Sequence, residues 1–157
     1  MTTASPKPLR DVLYWEDFKV GELLEMGSHC FTAEEIIDFA RQFDPQPFHI
    51  DPQAARESFY GTLIASGWHT CAVAMRLMCD SYVNRTRSMG SPGVDNIRWL
   101  APVKAGDTLT YRRIALEARA SRSRPGVGLV RNRWEAINQD GVLVLTMEGW
   151  GMLGRRP

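Results

Sequence analysis

Asp44 and His49 stand five positions apart in the run Asp44-Pro45-Gln46-Pro47-Phe48-His49, with two prolines between them. A carboxylate and an imidazole held side by side can move a proton. A stiff segment suits that work, because acid and base groups are effective only from a fixed geometry. Phe48 and Ile50 supply apolar anchors on either side of His49. A second run, Ala65-Ser66-Gly67-Trp68-His69-Thr70, opens a helical pattern. Backbone N–H groups at a helix N-terminus have no partner inside the helix and carry partial positive charge. Glycine lets a ligand come close to the backbone, so Gly67 is a candidate oxyanion site for an ester or thioester carbonyl. The two runs together suit chemistry on a carbonyl compound, in which one group moves protons and the other holds the developing negative charge. Each has a plainer alternative. Asp44 can simply end a helix while His49 is a satisfied polar residue, and Ser66 can be the N-cap of a helix that merely begins at Gly67.

The other polar candidates read as structural. His69 lies one turn into the helix near its apolar face and reads as a core or interface residue, while His29 sits in a strand with no evident partner. Asp51 precedes Pro52 and is explained as an N-cap. Three scattered histidines and three cysteines, Cys30, Cys71 and Cys79, match no metal-ligand spacing, so no metal site is expected. Cys71 and Cys79, two helical turns apart, read as small core residues.

Stiff loops need elements to carry them. Residues 22–31 read as a strand. Thr32-Ala33-Glu34-Glu35 is a capping box, with Thr32 as N-cap, that starts a helix whose buried face holds Ile36, Ile37, Phe39 and Ala40. That helix stops before Asp44-Pro45, because proline disfavours helical geometry in the residue before it. Asp51-Pro52 starts a short helix to about Tyr60. From Gly67 to about residue 82, Trp68, Cys71, Ala72, Met75, Met78, Cys79 and Tyr82 recur at three- and four-residue spacing, which predicts a long helix with a broad apolar face. Its small residues would let a sheet approach closely. Strands follow at 95–100, 108–120, 127–137 and 142–152, with a turn at 138–141. In the third of these Val130, Asn132, Trp134 and Ala136 alternate with Arg131, Arg133 and Glu135. The pattern is α+β: an antiparallel meander wrapped around one long central helix.

The 157 residues suffice for one domain, read as residues 13–157 behind a flexible N-terminal tail at 1–12. A chain of this size buries roughly 68–70% of its unfolded surface and needs no disulfide. Net charge is +1, which makes no case for nucleic acid or for a membrane surface, and no apolar run approaches the ~20 residues of a span. A cytoplasmic protein is expected. The basic residues are 16 arginines against 3 lysines, which suits phosphate contacts and is equally accounted for by codon bias.

Three pieces together carry a family resemblance: the Asp44-x-x-x-x-His49 segment, Ser66-Gly67-Trp68-His69 at the head of a long helix, and the stretch from Ile97 through Pro102, Val103, Gly106 and Asp107 to Leu109. With them the chain, from about Trp15 to Met152, resembles the MaoC-like hydratases, the (R)-specific enoyl-CoA hydratases of the hotdog fold. The resemblance implies a single hotdog domain that adds water reversibly to a 2-enoyl-CoA, as a hydro-lyase. Asp44 and His49 would be the catalytic pair that activates water, and Gly67 the glycine whose N–H binds the thioester oxygen. Ser66 and Trp68 would be its substrate-binding neighbours. It further implies coenzyme A as part of the substrate, or less simply an acyl carrier protein, no other cofactor, and a homodimer with two sheets joined edge to edge. The chain departs from the family pattern at Gln46, where Asn is usual, at Ser66-Gly67-Trp68 in place of His-Gly-Met, and at Met75, where many relatives carry a small polar residue. A hotdog thioesterase, sharing the fold and the glycine, and a non-catalytic acyl-thioester binding subunit are the alternatives. Acyl length and branching stay open, as does which of Arg85, Arg87, Arg119, Arg122 and Arg124 would meet carrier phosphates.

Overall fold

The computed structural model describes residues 12–157. Apart from Val12, the expected tail at 1–12 lies outside the described residues. Strand β1 (Leu23–Cys30) leads into α1 (Ala33–Phe43), two short helices α2 (Pro47–Ile50) and α3 (Pro52–Glu57), and the long helix α4 (Gly67–Ser81). Strands β2 (Gly93–Trp99), β3 (Thr108–Ala120), β4 (Val127–Ile137) and β5 (Leu143–Gly154) complete the chain. The five strands form one antiparallel sheet in the order β1-β3-β4-β5-β2. The sheet wraps α4, which is the hotdog arrangement and a single α+β domain.

The alternation expected in β4 is present. Val130, Asn132, Trp134 and Ala136 are buried against the helical side. Glu135, on the opposite face, is buried as well, because Arg112 and Arg133 cover it as ion-pair partners. The core under α4 is built from Phe31, Ile36, Leu109, Tyr111, Val130 and Leu145, each worth about 1.5–3 kcal/mol as a buried apolar side chain. Two polar tethers fix α4 on the sheet: Tyr111 Oη donates to Thr70 O at 3.1 Å, and Trp134 Nε1 donates to Tyr82 Oη at 3.1 Å.

Several expectations are corrected. The Asp44–His49 segment is not an irregular loop, since Pro47, at the first helical position, starts the single turn α2. Helix α3 ends at Glu57, not near Tyr60. Ser58 turns extended and its hydroxyl donates to Ala55 O at 2.7 Å, which stops the helix. The buried face of α4 is His69, Thr70, Val73, Ala74 and Met78. Of the stripe expected to be buried, Met78 and Tyr82 are buried, but the rest turns toward an open side: Trp68 and Met75 are about half exposed, Ala72 is exposed, and Cys71 and Cys79 are only partly covered. The capping box at Thr32 is half formed. Thr32 Oγ1 accepts the Glu35 N–H at 3.2 Å, but the Glu35 carboxylate turns to His29 instead of the N-cap. No helix among the described residues is long and apolar enough to cross a membrane.

Candidate active site

The short segment between α3 and α4 organises the site. Ala65 N–H donates to Val103 O at 2.8 Å, and Ile64 bridges to Lys104, which pins the segment to the chain between β2 and β3. Ser66 follows, fully buried, and N-caps α4 by accepting the Trp68 N–H at 3.2 Å. Its hydroxyl proton goes to Asp44 Oδ2 at 2.7 Å. Gln46 Nε2 donates to Asp44 Oδ1 at 2.7 Å, so each carboxylate oxygen of Asp44 has a donor. Asp44 also ends α1, its own N–H bonding to Ala40 O. The plain reading of Asp44 and the functional one therefore both describe the same residue.

His49 is 5% exposed. Its Nδ1 lies 2.7 Å from Ile64 O. A carbonyl oxygen only accepts, so Nδ1 carries a proton and donates it. Nε2 is then the nitrogen that faces Asp44 Oδ2, at 3.3 Å. Burial opposes ionisation of Asp44, but the hydrogen bonds from Ser66 and Gln46 and the nearby His49 outweigh it and hold the carboxyl below its ordinary range. Asp44 and His49 line a cleft of about 430 Å3, together with Gly67, Trp68, Trp99 and Val103. Sequence reasoning placed Asp44, His49, Ser66, Gly67 and Trp68 as site residues, and the fold brings all five together.

Gly67 has a structural reason beyond ligand access. A Cβ at this position would overlap the Trp99 indole, which lies against the start of α4 and meets Trp68 edge-on at 5.2 Å. Gly67 N–H, with Ser66 Oγ directed to Trp68 N–H, has no partner among the described residues. Trp99 was not foreseen as part of the site. Its place in the Trp99–Val103 run, already singled out, was the available signal.

A second polar group went unforeseen. Glu35 bridges His29, at 2.8 and 2.9 Å, and His69, at 3.5 Å. His69 is 3% exposed, stacked on Phe39 at 4.5 Å and edge-on to Phe31. The core role expected of His69 holds, and His29 has the partner it lacked on paper. Burial pushes the His69 imidazole below its usual range, against the pull of Glu35. Asp51 caps α3 through the Gln53 and Ala54 N–H groups. Among the described residues no three His, Cys, Asp or Glu side chains converge to hold a metal.

With fold and geometry in view, comparison with known proteins defines the class. Residues 20–135 match the MaoC like domain, and the chain belongs to that family. A MaoC-like dehydratase of Rhodospirillum rubrum, known as a crystal structure, is 37% identical, with a TM-score of 0.85 over 92% of this chain and 99% of that one. Protein MaoC of Klebsiella aerogenes is 31% identical over 100 residues, which is 63% of this chain and 29% of MaoC. The 3-hydroxybutyryl-CoA dehydratase of Methylorubrum extorquens is 30% identical over 105 residues, 64% of this chain and 62% of that enzyme. The matched region thus spans less than two thirds of the length of either of these two relatives.

Two outcomes follow from the site's electrostatics. Ser66→Ala removes both an N-cap and a hydrogen bond to a carboxylate, so unfolding free energy by urea titration falls by about 2–3 kcal/mol. His69 is held neutral in the fold, so its stabilisation is complete above the unfolded-state value of about 6.5 and is lost as pH falls toward its lower folded value. Melting curves between about pH 7 and pH 5 therefore shift in favour of His69→Phe relative to wild type as pH falls. A gap that stays constant across that range counts against this assignment.

Proposed function

We propose that this protein adds water reversibly to the double bond of a 2-enoyl-CoA, giving the 3-hydroxyacyl-CoA. The observation that carries the reading is the 3.3 Å approach of His49 Nε2 to Asp44 Oδ2 inside the cleft at the N-terminus of α4. In the neutral imidazole, with Nδ1–H committed to Ile64 O, Nε2 offers a lone pair and Asp44 a second acceptor. A water donating one proton to each would be held and polarised between them. Its oxygen attacks C3, the C2=C3 electron pair moves toward the carbonyl, and negative charge collects on the thioester oxygen. Gly67 N–H stabilises that oxygen, a contribution of roughly 3–4 kcal/mol for one such donor. One proton leaves the water for the pair and one returns to C2, so atoms and charge balance. General acid–base help of this kind is worth roughly 10²–10⁴ in rate. The pair is best treated as one coupled unit, and the steps call on protein groups alone.

The acyl part would run from the cleft along α4. Trp68 lines both the polar cleft and a second cavity of about 410 Å3, where Met75 and Met78 form part of an apolar wall. Membership of the MaoC-like family and similarity to a 3-hydroxybutyryl-CoA dehydratase support the hydro-lyase reading.

We also propose a homodimer joined at β2. All of β2 except Ile97 is exposed, with Val94 50% exposed, and Leu100 just beyond it is exposed too. An uncovered apolar edge strand invites pairing. A twofold axis near Asn96 and Ile97 would run two copies of β2 antiparallel and set Asp95 of one copy near Arg98 of the other.

Kinetics on a panel of straight and 2-methyl-branched enoyl-CoAs test the chemistry. Loss of the conjugated enoyl absorbance without free thiol is expected for wild type, with at least a 10²-fold drop in kcat for Asp44→Asn and for His49→Ala. Free thiol would mean hydrolysis instead, and a folded protein that turns over none of the panel would favour a binding subunit. Light scattering tests the assembly: wild type runs as a dimer, and the double variant Val94→Lys, Leu100→Lys runs at half that mass. A monomeric wild type removes the β2 interface.

A further inference from the structure

The apolar cavity beside α4 has a length that can be read from the helix. Trp68, Cys71, Met75, Met78 and Tyr82 line it at steps of three and four residues, so a single stripe of α4 and its C-cap forms one wall. Val94 of β2, Val130 and Trp134 of β4 and Met147 of β5 stand on the sheet side. Protein interiors keep few voids larger than a water molecule, whereas this one holds about 410 Å3. Trp68, Met75 and Val94 are each about half exposed along its open flank. Large apolar side chains gathered around an unfilled hollow suit an apolar occupant. Trp68 lines this cavity and the cleft of Asp44 and His49 alike. A molecule held in the cleft that extends along α4 therefore enters here.

An α-helix rises 1.5 Å per residue, so Trp68 to Met78 spans about 15 Å. A fully extended residue, three backbone bonds long, advances about 3.3–3.6 Å, which is about 1.2 Å per bond for an extended chain. About twelve bonds of acyl chain thus fit between Trp68 and Met78, beyond the carbons that stay in the cleft. Resting on the hydratase reading above, we propose that the substrate is a long-chain 2-enoyl thioester of about 12 to 16 carbons, with Met75 as a specificity-determining residue. Met75 stands seven residues past Trp68 on the same stripe, about 10 Å down the cavity. Methionine is unbranched and adaptable, which suits a wall that packs against a flexible chain.

Kinetics on straight 2-enoyl-CoAs, from crotonyl- to octadecenoyl-CoA, test this assignment. Each methylene withdrawn from water is worth about fourfold in affinity, and binding remote from the reacting carbons lowers KM. Wild type should show kcat/KM at least roughly 100-fold higher for dodecenoyl-CoA than for crotonyl-CoA, mostly through KM. No further gain is expected from hexadecenoyl- to octadecenoyl-CoA, where the chain outruns the cavity. Met75→Trp narrows the cavity from its half-exposed flank and should cut the dodecenoyl-to-crotonyl ratio at least roughly tenfold. A ratio near one, with crotonyl-CoA hydrated by wild type and not by Asp44→Asn, overturns the chain-length assignment and leaves the hydratase reading standing. A second copy of the chain filling the cavity gives that result. A high ratio that Met75→Trp leaves unchanged, or a rise with no plateau, also overturns it. If wild type hydrates no member, the hydratase reading falls and calorimetry with saturated dodecanoyl- and butanoyl-CoA decides. Tighter binding of dodecanoyl-CoA that Met75→Trp weakens then upholds a cavity for long acyl chains, and equal binding overturns it. The wild-type ratio and plateau remain decisive if Met75→Trp does not fold.

Discussion

The hydrogen bond from Ser66 Oγ to Asp44 Oδ2 is the joint on which the site hangs. A hydroxyl has one proton to give, and Ser66 gives it to the carboxylate while its lone pair takes the Trp68 N–H. One buried atom therefore starts α4 and holds Asp44 in place. The pair is charge-assisted and sits where water cannot easily compete, so it is stronger than an exposed bond of the same length. The loop after α1 and the first turn of α4 are thereby tied to each other, which is the fixed geometry that the proposed acid–base chemistry needs.

The same segment also decides the chemistry of His49. Ile64, two residues before Ser66, offers the carbonyl that fixes the Nδ1 proton. Asp44 orientation and His49 tautomer are thus both dictated by residues 64–66, which are themselves tied to Val103 and Lys104 beyond the edge strand. Proline at position 47 adds to this by fixing the first turn of α2, so His49 leaves the backbone in a set direction.

Much of this was legible because local rules govern it. Strands β3 and β4 announce themselves by alternation and by the Asn138–Gly141 turn after β4, and α1 by Thr32 and by the Asp44-Pro45 stop. What was not legible depends on partners distant in sequence. Glu35 obeys a local signal, the capping box, until His29 and His69 are brought beside it, and two imidazoles then outcompete one backbone N–H. The face of α4 was misjudged for a similar reason. Periodicity reports which residues are apolar, not which side the sheet covers, and Trp68 and Met75 face a cavity instead of close packing. The pattern makes Asn132 an inward residue of β4, yet it has no means of saying that its amide oxygen is buried without a partner among the described residues.

Gly67 shows how two constraints can share one residue. A glycine at a helix start suggests an oxyanion site, but here the Trp99 indole alone already forbids a side chain. The glycine is therefore no independent witness to catalysis. The weight falls on Asp44 and His49, whose mutual geometry packing alone does not require. Trp99 in turn belongs to an edge strand that is exposed along nearly its whole length. An indole that walls off the start of α4 lowers the local dielectric and strengthens every charge interaction there. That wall stands on the least covered strand of the sheet, so the shielding of the site is tied to β2.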